Sequence, residues 1–173
     1  PSHMVMPAIH MTKEQVAEVF TKEVNEQIAP DIPLMVKVAR EQLRSKFLAA
    51  DMGISGANVA VAETGTLAIV TNEGNARMVG TLPKIHVVLV GLEKLVEKLD
   101  DLVPIITALP KAATGQLLTS YLSLITGPSE NTDGSTKQLH IVLLDNRRSE
   151  MAHDPQFKQA LQCIRCASCL NVC

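Results

Sequence analysis

Apolar residues recur at intervals of three and four through much of the first fifty positions, a spacing that predicts two amphipathic helices. The first covers residues 12–29, where Thr12 and Gln15 have the spacing of a capping box. The second covers residues 34–50 and is followed by Gly53, a residue type that is common just beyond a helix. Charged residues occupy the opposite side of each segment, so one face of each helix is expected to be buried.

Short runs rich in valine and isoleucine then predict β-strands. Residues 58–62 and 66–71 form two such runs separated by the sequence Glu-Thr-Gly, which is typical of a β-hairpin. Residues 85–90 and 139–144 are continuous apolar runs, and this pattern favours strands that are buried on both faces.

The segments between these strands are predicted to be mainly helical. The spacing of Leu and Val over residues 92–99 is helical, with a solvated face made of Glu93, Lys94, Glu97 and Lys98. Residues 102–125 also have a helical pattern, but two prolines interrupt it, which predicts a short helix and then a longer one from about Ala112. Strands and helices therefore alternate, and we expect an α/β fold in which a sheet is flanked by helices.

The composition narrows the classes of protein to which the chain can belong. Hydrophobic residues make up 46% of the 173 residues but aromatic residues only 2%, so the core must be aliphatic. Sixteen basic and eighteen acidic residues give a net charge of -2 without a basic cluster, which argues against nucleic-acid binding. No apolar run is long enough to span a bilayer, and the first residues lack a signal-peptide pattern. We expect a soluble, cytoplasmic protein with one core.

All of the cysteines lie in one short run at the end of the chain: Cys163, Cys166, Cys169 and Cys173. A disulfide framework would spread its cysteines along the sequence, whereas this C-x2-C-x2-C-x3-C spacing is the one that bacterial ferredoxins use for a [4Fe-4S] cluster. In two-cluster ferredoxins the fourth cysteine of the run binds the other cluster. A zinc site is the alternative, but such sites commonly use two C-x2-C pairs that are farther apart.

Several motifs also resemble, in order along the chain, the lactate utilisation protein B family and its LUD domain. They are GISGAN (53–58), AETGT (62–66), TNEGNAR (71–77), LPKIH (82–86), GLEK (91–94), ITGP (125–128) and HIVLLDN (140–146), followed by the cysteine run. Arg147 departs from the family pattern, which usually has Gly after Asp-Asn. A second group of cysteines, which the family carries, is absent from these 173 residues.

The resemblance implies a function and a domain organisation. It implies a flavin-free iron–sulfur subunit of a cytoplasmic complex that oxidises L-lactate to pyruvate, working with two partner subunits and relaying electrons through two [4Fe-4S] clusters. The fold would be similar to that of the sugar-phosphate isomerase and CoA-transferase group. Residues 1–150 would form the C-terminal part of a LUD domain, and residues 151–173 the start of a ferredoxin-like segment.

An incomplete domain of this kind has two expected consequences. The cluster would be present in the intact protein but absent from these 173 residues, because the first three cysteines would lack their fourth ligand. Missing strands would leave a sheet edge or an apolar face open, which predicts a homodimer and a fragment that is inactive alone.

A second candidate site involves polar residues on either side of the strand predicted at residues 66–71. The candidate ligand-binding residues are Glu63, Thr64, Asn72, Asn75 and Arg77, which we expect to line one cleft. A guanidinium there would bind a small carboxylate, and this predicts an alternative function as a ligand-binding or transferase-like enzyme with a structural cluster. The alternative for each residue is an ordinary turn or a surface ion pair. The buried strands also predict that His86 and His140 are hydrogen-bonded core histidines.

Overall fold

The computed structural model describes residues 8–131 and 133–171, and the chain divides into two compact units. The first unit ends at Ala49 and the second begins at Ala50. The expectation of one core is therefore replaced by two units, each of which is described separately.

The first unit contains α1 (Lys13–Val24) and α2 (Ile32–Ala49). The amide of Gln15 donates to Thr12 Oγ1 over 3.3 Å and the amide of Thr12 donates to Gln15 Oε1 over 2.9 Å, which confirms the predicted capping box. Helix α1 ends earlier than predicted because Asn25 adopts a left-handed conformation with a φ of 55°.

The second unit contains both helices and strands. In chain order these are β1 (Met52–Gly56), β2 (Val59–Val61), β3 (Thr66–Thr71), α3 (Asn75–Thr81), β4 (Ile85–Gly91), β5 (Leu95–Val96), α4 (Leu102–Thr114), β6 (Tyr121–Thr126), β7 (Gln138–Leu144) and α5 (Arg148–His153). This arrangement confirms the α/β expectation of sheets flanked by helices.

The strands of this unit form two sheets. The parallel sheet has the order β1-β4-β7, and the mixed sheet has the order β5-β2-β3-β6. Gly56 pairs with Leu89, and Gly91 pairs with Leu144, so the carboxyl ends of the parallel strands lie along one edge. Strands β2 and β3 are antiparallel, as the predicted hairpin requires.

The core of the second unit joins the two sheets. Ala60, Leu67 and Ile69 of the mixed sheet form one buried cluster with Val88 and Val90 of β4. These side chains are all aliphatic, as the composition predicts. Their burial fixes the parallel sheet against the mixed sheet and so holds the carboxyl edge of the parallel sheet in place.

The other face of the parallel sheet is exposed, which makes the prediction of fully buried strands wrong. The register places Leu89 of β4 beside Val142 of β7, and both side chains are exposed. Ile54 and Leu144 on the flanking strands are exposed as well. Strand β7 has a neighbour on one side only among the described residues, so it is an edge strand, and the outer face carries no cover there. The homodimer expected from an open apolar face stays a prediction.

Two predicted helices are replaced by other structure. Helix α4 ends at Thr114, where Gly115 has a φ of 70°, and the residues that follow include strand β6, antiparallel to β3. The segment predicted as a helix over residues 92–99 instead contains a 3₁₀ turn at Leu92–Lys94 and then the short strand β5. In both places pairing with a distant strand outweighs the local pattern, because a periodicity reports only on neighbours in sequence.

Candidate functional site

The carboxyl edge of the parallel sheet carries a cluster of charged residues. In open α/β sheets this edge is where ligands generally bind. Glu93 and Lys94 follow β4 in the 3₁₀ turn, and Asp145 and Arg148 follow β7. The topology therefore brings together charged groups that are about fifty positions apart in sequence.

Glu93 is the centre of this cluster. Its side chain is 5% exposed, and its carboxylate accepts hydrogen bonds from two arginines. Arg148, at the start of α5, donates from Nε to Oε2 and from Nη2 to Oε1, the latter over 3.3 Å. Arg165 donates from Nη2 to Oε1 over 3.0 Å. Because Arg165 lies between Cys163 and Cys166, this contact joins the cysteine run to the sheet.

The position of Glu93 depends on a glycine two residues before it. A Cβ at Gly91 would lie 2.7 Å from Cδ of Glu93, which is closer than real Cβ atoms approach a neighbour. The carboxylate therefore folds back over the backbone at the end of β4, where only glycine leaves room for it.

The arginines set the protonation state of Glu93. Burial alone would raise the pKa of this carboxyl, but the hydrogen bond from Arg148 and the charges of both arginines hold the pKa below its ordinary value of 4.5. Glu93 is therefore a carboxylate at neutral pH, and both arginines have a charged partner.

Lys94 ties the same turn to the first strand. Its Nζ donates to the carbonyl oxygen of Ala57 over 2.8 Å, just beyond the end of β1. Burial, followed by the positive charge of Arg165, lowers the pKa of Lys94. The turn after β4 thus contacts the ends of both neighbouring strands, through Lys94 on one side and through Glu93 and Arg148 on the other.

The cysteine run itself is a tight loop with free thiols. Cys163 and Cys169 are exposed and Cys166 is half-buried, and each is a free thiol. The two residues that flank Cys166, Arg165 and Ala167, have positive φ values of 61° and 64°. Positive φ is uncommon in residues other than glycine, and successive turns of this kind point backbone N–H groups into a concave site for anions, as at many iron–sulfur sites.

The loop is also held at both ends by local hydrogen bonds. The amide of Cys163 donates to the carbonyl oxygen of Ala160 over 3.3 Å, and the amide of Leu170 donates to that of Ala167 over 3.0 Å. Ala167 is buried. The loop conformation is therefore supported by packing and by the Arg165 ion pair, although its backbone includes two strained residues.

Thiolates at this spacing suit an iron–sulfur cluster, and the loop contains no histidine that would favour zinc. Among residues 8–131 and 133–171, no three His, Cys, Asp or Glu side chains converge closely enough to hold a metal ion. Cys173, the fourth predicted ligand, lies outside the described residues.

The residues of the second candidate site do not share a cleft, and that prediction is wrong. Glu63 and Thr64 lie in the hairpin turn before β3, whereas Asn72, Asn75 and Arg77 follow β3. The six residues of β3 separate the two groups by roughly 20 Å at about 3.3 Å per residue. A hairpin turn and the loop after its second strand lie at opposite ends of that strand, so one anion cannot contact both Glu63 and Arg77.

At the hairpin end, Thr64 takes part in a short ladder of hydroxyl groups. Thr64 Oγ1 lies 2.7 Å from Thr66 Oγ1, which lies 2.7 Å from Thr126 Oγ1 on β6. Glu63 is exposed, and its amide donates to the carbonyl oxygen of Glu97 over 3.1 Å. These contacts fasten the turn to the neighbouring strands.

At the other end of β3, the predicted residues make contacts with the start of β6. Asn72 Oδ1 accepts from the amide of Ser120 over 3.1 Å. The guanidinium of Arg77 stacks on the ring of Tyr121, 5.2 Å from its centroid. Asn75 Oδ1 accepts from the hydroxyl of Thr71 over 3.2 Å. Each of these residues therefore has a structural contact of its own.

The two strand histidines differ. His86 is 1% exposed, and its Nε2 lies 2.8 Å from Ser55 Oγ, which confirms the predicted hydrogen-bonded core histidine. Burial, and then the charge of Lys137, lowers the pKa of His86. Lys137 is buried and donates to the carbonyl oxygen of Gly80 over 2.7 Å. His140 is exposed on the edge strand, so its predicted core position is wrong.

The sequence analysis missed Glu93, Lys94 and Arg148. Glu93 and Lys94 were interpreted as part of a solvated helical face, yet both are largely buried and bonded, while Glu97 and Lys98 are exposed as expected. The signal that was available is the position of the pair, directly after a buried strand that ends in glycine. Charged residues in that place commonly belong to a site rather than to a solvated face.

No helix in the described part of the chain is long and apolar enough to cross a membrane.

Comparison with known proteins places these features in a family. The LUD domain family model matches residues 2–144. Lactate utilization protein B of Macrococcus caseolyticus (strain JCSC5402) is 44% identical over 174 residues, which covers 100% of this chain and 36% of that protein. The protein of the same name from Bacillus subtilis (strain 168) is also 44% identical over 174 residues, with the same coverage of 100% and 36%. The chain thus spans 36% of the length of these relatives.

A solved structure of a DUF162 family protein from Deinococcus radiodurans is 20% identical, with a TM-score of 0.43 over 57% of this chain and 56% of that one. The family match over residues 2–144 and the full-length alignment with the two relatives confirm the resemblance that the sequence motifs indicated. The chain belongs to the LUD domain family.

Proposed function

We propose that this protein is the iron–sulfur electron-transfer subunit of a cytoplasmic complex that oxidises L-lactate to pyruvate. The observation that carries the proposal is the cysteine loop, in which the C-x2-C-x2-C spacing coincides with left-handed backbone at Arg165 and Ala167. The name of the relatives, lactate utilization protein B, supports the choice of substrate.

Cys163, Cys166 and Cys169 are the proposed thiolate ligands of one [4Fe-4S] cluster. Cys173 is the proposed ligand of a second cluster, as in two-cluster ferredoxins. The left-handed turns at Arg165 and Ala167 orient backbone N–H groups that would donate to the cluster sulfides and stabilise their negative charge.

The proposed division of labour follows from the stoichiometry of the reaction. Oxidation of lactate to pyruvate releases two electrons and two protons, whereas a bound cluster accepts and passes on one electron at a time. The residues of this chain would hold that relay close to the protein surface, since Cys163 and Cys169 are exposed. Removal of hydrogen from lactate, and delivery of the electrons to the relay, are proposed for partner subunits of the complex.

The alternative function, a small-carboxylate or transferase-like enzyme centred on Glu63 and Arg77, loses its basis in the structure. The two residues lie at opposite ends of β3, and Arg77 already stacks on Tyr121. We therefore do not carry it further.

The test uses the native protein, purified without oxygen together with the subunits that co-purify with it. We expect a brown preparation with an absorbance near about 400 nm that L-lactate bleaches. Cys166→Ser should abolish the bleaching, and the matched control Ser168→Ala, in the same loop, should keep it. A colourless protein that contains zinc without sulfide, or a cluster that dithionite reduces but lactate does not, would overturn the proposal.

A further inference from the structure

Glu93 receives hydrogen bonds from two segments that follow it in sequence by more than fifty residues. Arg148 belongs to the start of α5, and Arg165 belongs to the cysteine loop, and both donate to the same carboxylate. The Glu93 side chain is 5% exposed, whereas that of Arg165 is 54% exposed. The anchor is thus buried in the sheet edge, and the cysteine loop reaches it from the surface.

Arg148 by itself satisfies the main requirement of a buried carboxylate, because it supplies charge and two hydrogen bonds. The bond from Arg165 is therefore not needed to keep Glu93 in place. Its effect falls on the other partner: it holds a loop that has few long-range contacts and whose residue Arg165 has a positive φ of 61°.

We infer that Glu93 is a positioning residue that fixes the cysteine loop on the carboxyl edge of the parallel sheet through Arg165. The inference rests on the proposed function for its consequence, since a fixed loop presents Cys163, Cys166 and Cys169 in an arrangement that needs little reorganisation to bind a cluster. It predicts that the loop is ordered before the cluster binds, and that the order depends on an ion pair rather than on the thiols.

The first experiment measures docking without any cluster. Backbone hydrogen exchange is followed by mass spectrometry in the 173-residue chain, kept in reductant and a chelator. We expect Arg165→Gln to speed exchange in the cysteine loop by about three- to tenfold, because a charge-assisted hydrogen bond to a buried carboxylate is lost. Arg165→Lys should restore part of the protection, since it keeps the charge but loses the planar donor.

A matched control is available two residues into the turn after β7. Arg147 is exposed, and its Nε lies 4.0 Å from the Glu150 carboxylate, so Arg147→Gln removes the same charge without touching Glu93. It should leave exchange in the cysteine loop unchanged. Adding Arg165→Gln to Glu93→Gln should give no further increase in that loop. Wild-type exchange in Arg165→Gln, or additive effects in the double variant, would overturn the inference.

The second experiment measures the consequence for the cluster in the native protein. Loss of iron to an external chelator should be faster in Arg165→Gln than in wild type, by about the same factor as the exchange rate, and unchanged in Arg147→Gln. Equal rates of iron loss in Arg165→Gln and wild type would overturn the role of docking in cluster retention. If wild-type protein holds no iron, the proposed function fails, whereas the exchange experiment still decides whether Glu93 docks the loop.

Discussion

The carboxylate of Glu93 accepts a hydrogen bond from the guanidinium of Arg165 over 3.0 Å, although the two residues are 72 positions apart in sequence. The contact connects the end of a core strand to a loop whose thiols are the candidate cluster ligands. A chain with this contact has its proposed redox site attached to the most rigid part of the second unit, because the preceding strand residues Val88 and Val90 are fully buried.

Gly91→Ala should disrupt this attachment. The new methyl group would overlap the Glu93 carboxylate, so the carboxylate must move away from Arg148 and Arg165. We expect the free energy of unfolding, measured in urea, to fall by about 1–3 kcal/mol. Gly56→Ala is the control at the same edge, since its Cβ would lie 3.7 Å from the carbonyl oxygen of Leu89, an ordinary contact. Equal losses in the two variants would contradict the steric argument.

His86 should make stability depend on pH. Burial and the charge of Lys137 hold its pKa below the ordinary value of 6.5 in the folded state. The unfolded chain therefore takes up a proton as the pH falls through 6.5, while the folded chain does not until its lower pKa is reached. This contribution is complete above that range and is lost as the pH falls, at up to about 1.4 kcal/mol per pH unit.

The measurement is the free energy of unfolding between pH 8 and pH 5 for wild type, His86→Gln and His86→Asn. The slope near pH 6 should shrink in both His86 variants, and it should persist in His140→Gln because His140 is exposed. A slope that survives removal of His86 would show that another group is responsible.

Arg77 should be coupled to Tyr121 and not to Glu63. A double-mutant cycle of Arg77→Gln with Tyr121→Leu is expected to give about 0.5–1 kcal/mol, as for an exposed cation–π pair. The cycle with Glu63→Gln should be additive within about 0.5 kcal/mol, because β3 separates the two residues. Coupling of Arg77 to Glu63 as strong as its coupling to Tyr121 would return the single-cleft interpretation.

The parts of the fold that sequence predicted well are those with local causes. The capping box of Thr12 and Gln15 and the hairpin between β2 and β3 are each encoded within a few residues. Strand β6 could not be predicted in this way. Its apolar pattern is compatible with a helix, and its strand conformation comes from pairing with β3, about fifty residues earlier.

The candidate site shows the same division. Cysteine spacing is a local property, so the ligand set could be named from sequence alone. Glu93 was missed because a Glu-Lys pair within a mixed apolar and charged segment also fits a solvated helix, and only the strand order reveals that Arg148 and Arg165 reach it. Glu63 and Arg77 were grouped wrongly, because closeness in sequence does not tell which end of a strand each residue occupies.

Iron and acid-labile sulfide analysis of the native protein, purified without oxygen, tests the central claim that the cysteine loop holds a cluster. The account predicts about four iron and four sulfide for each cluster in wild type, a loss of the same amount in Cys163→Ser, Cys166→Ser and Cys169→Ser, and no loss in Ser168→Ala. Wild-type amounts of iron and sulfide in all three cysteine variants, or wild-type protein with zinc and no sulfide, would contradict it.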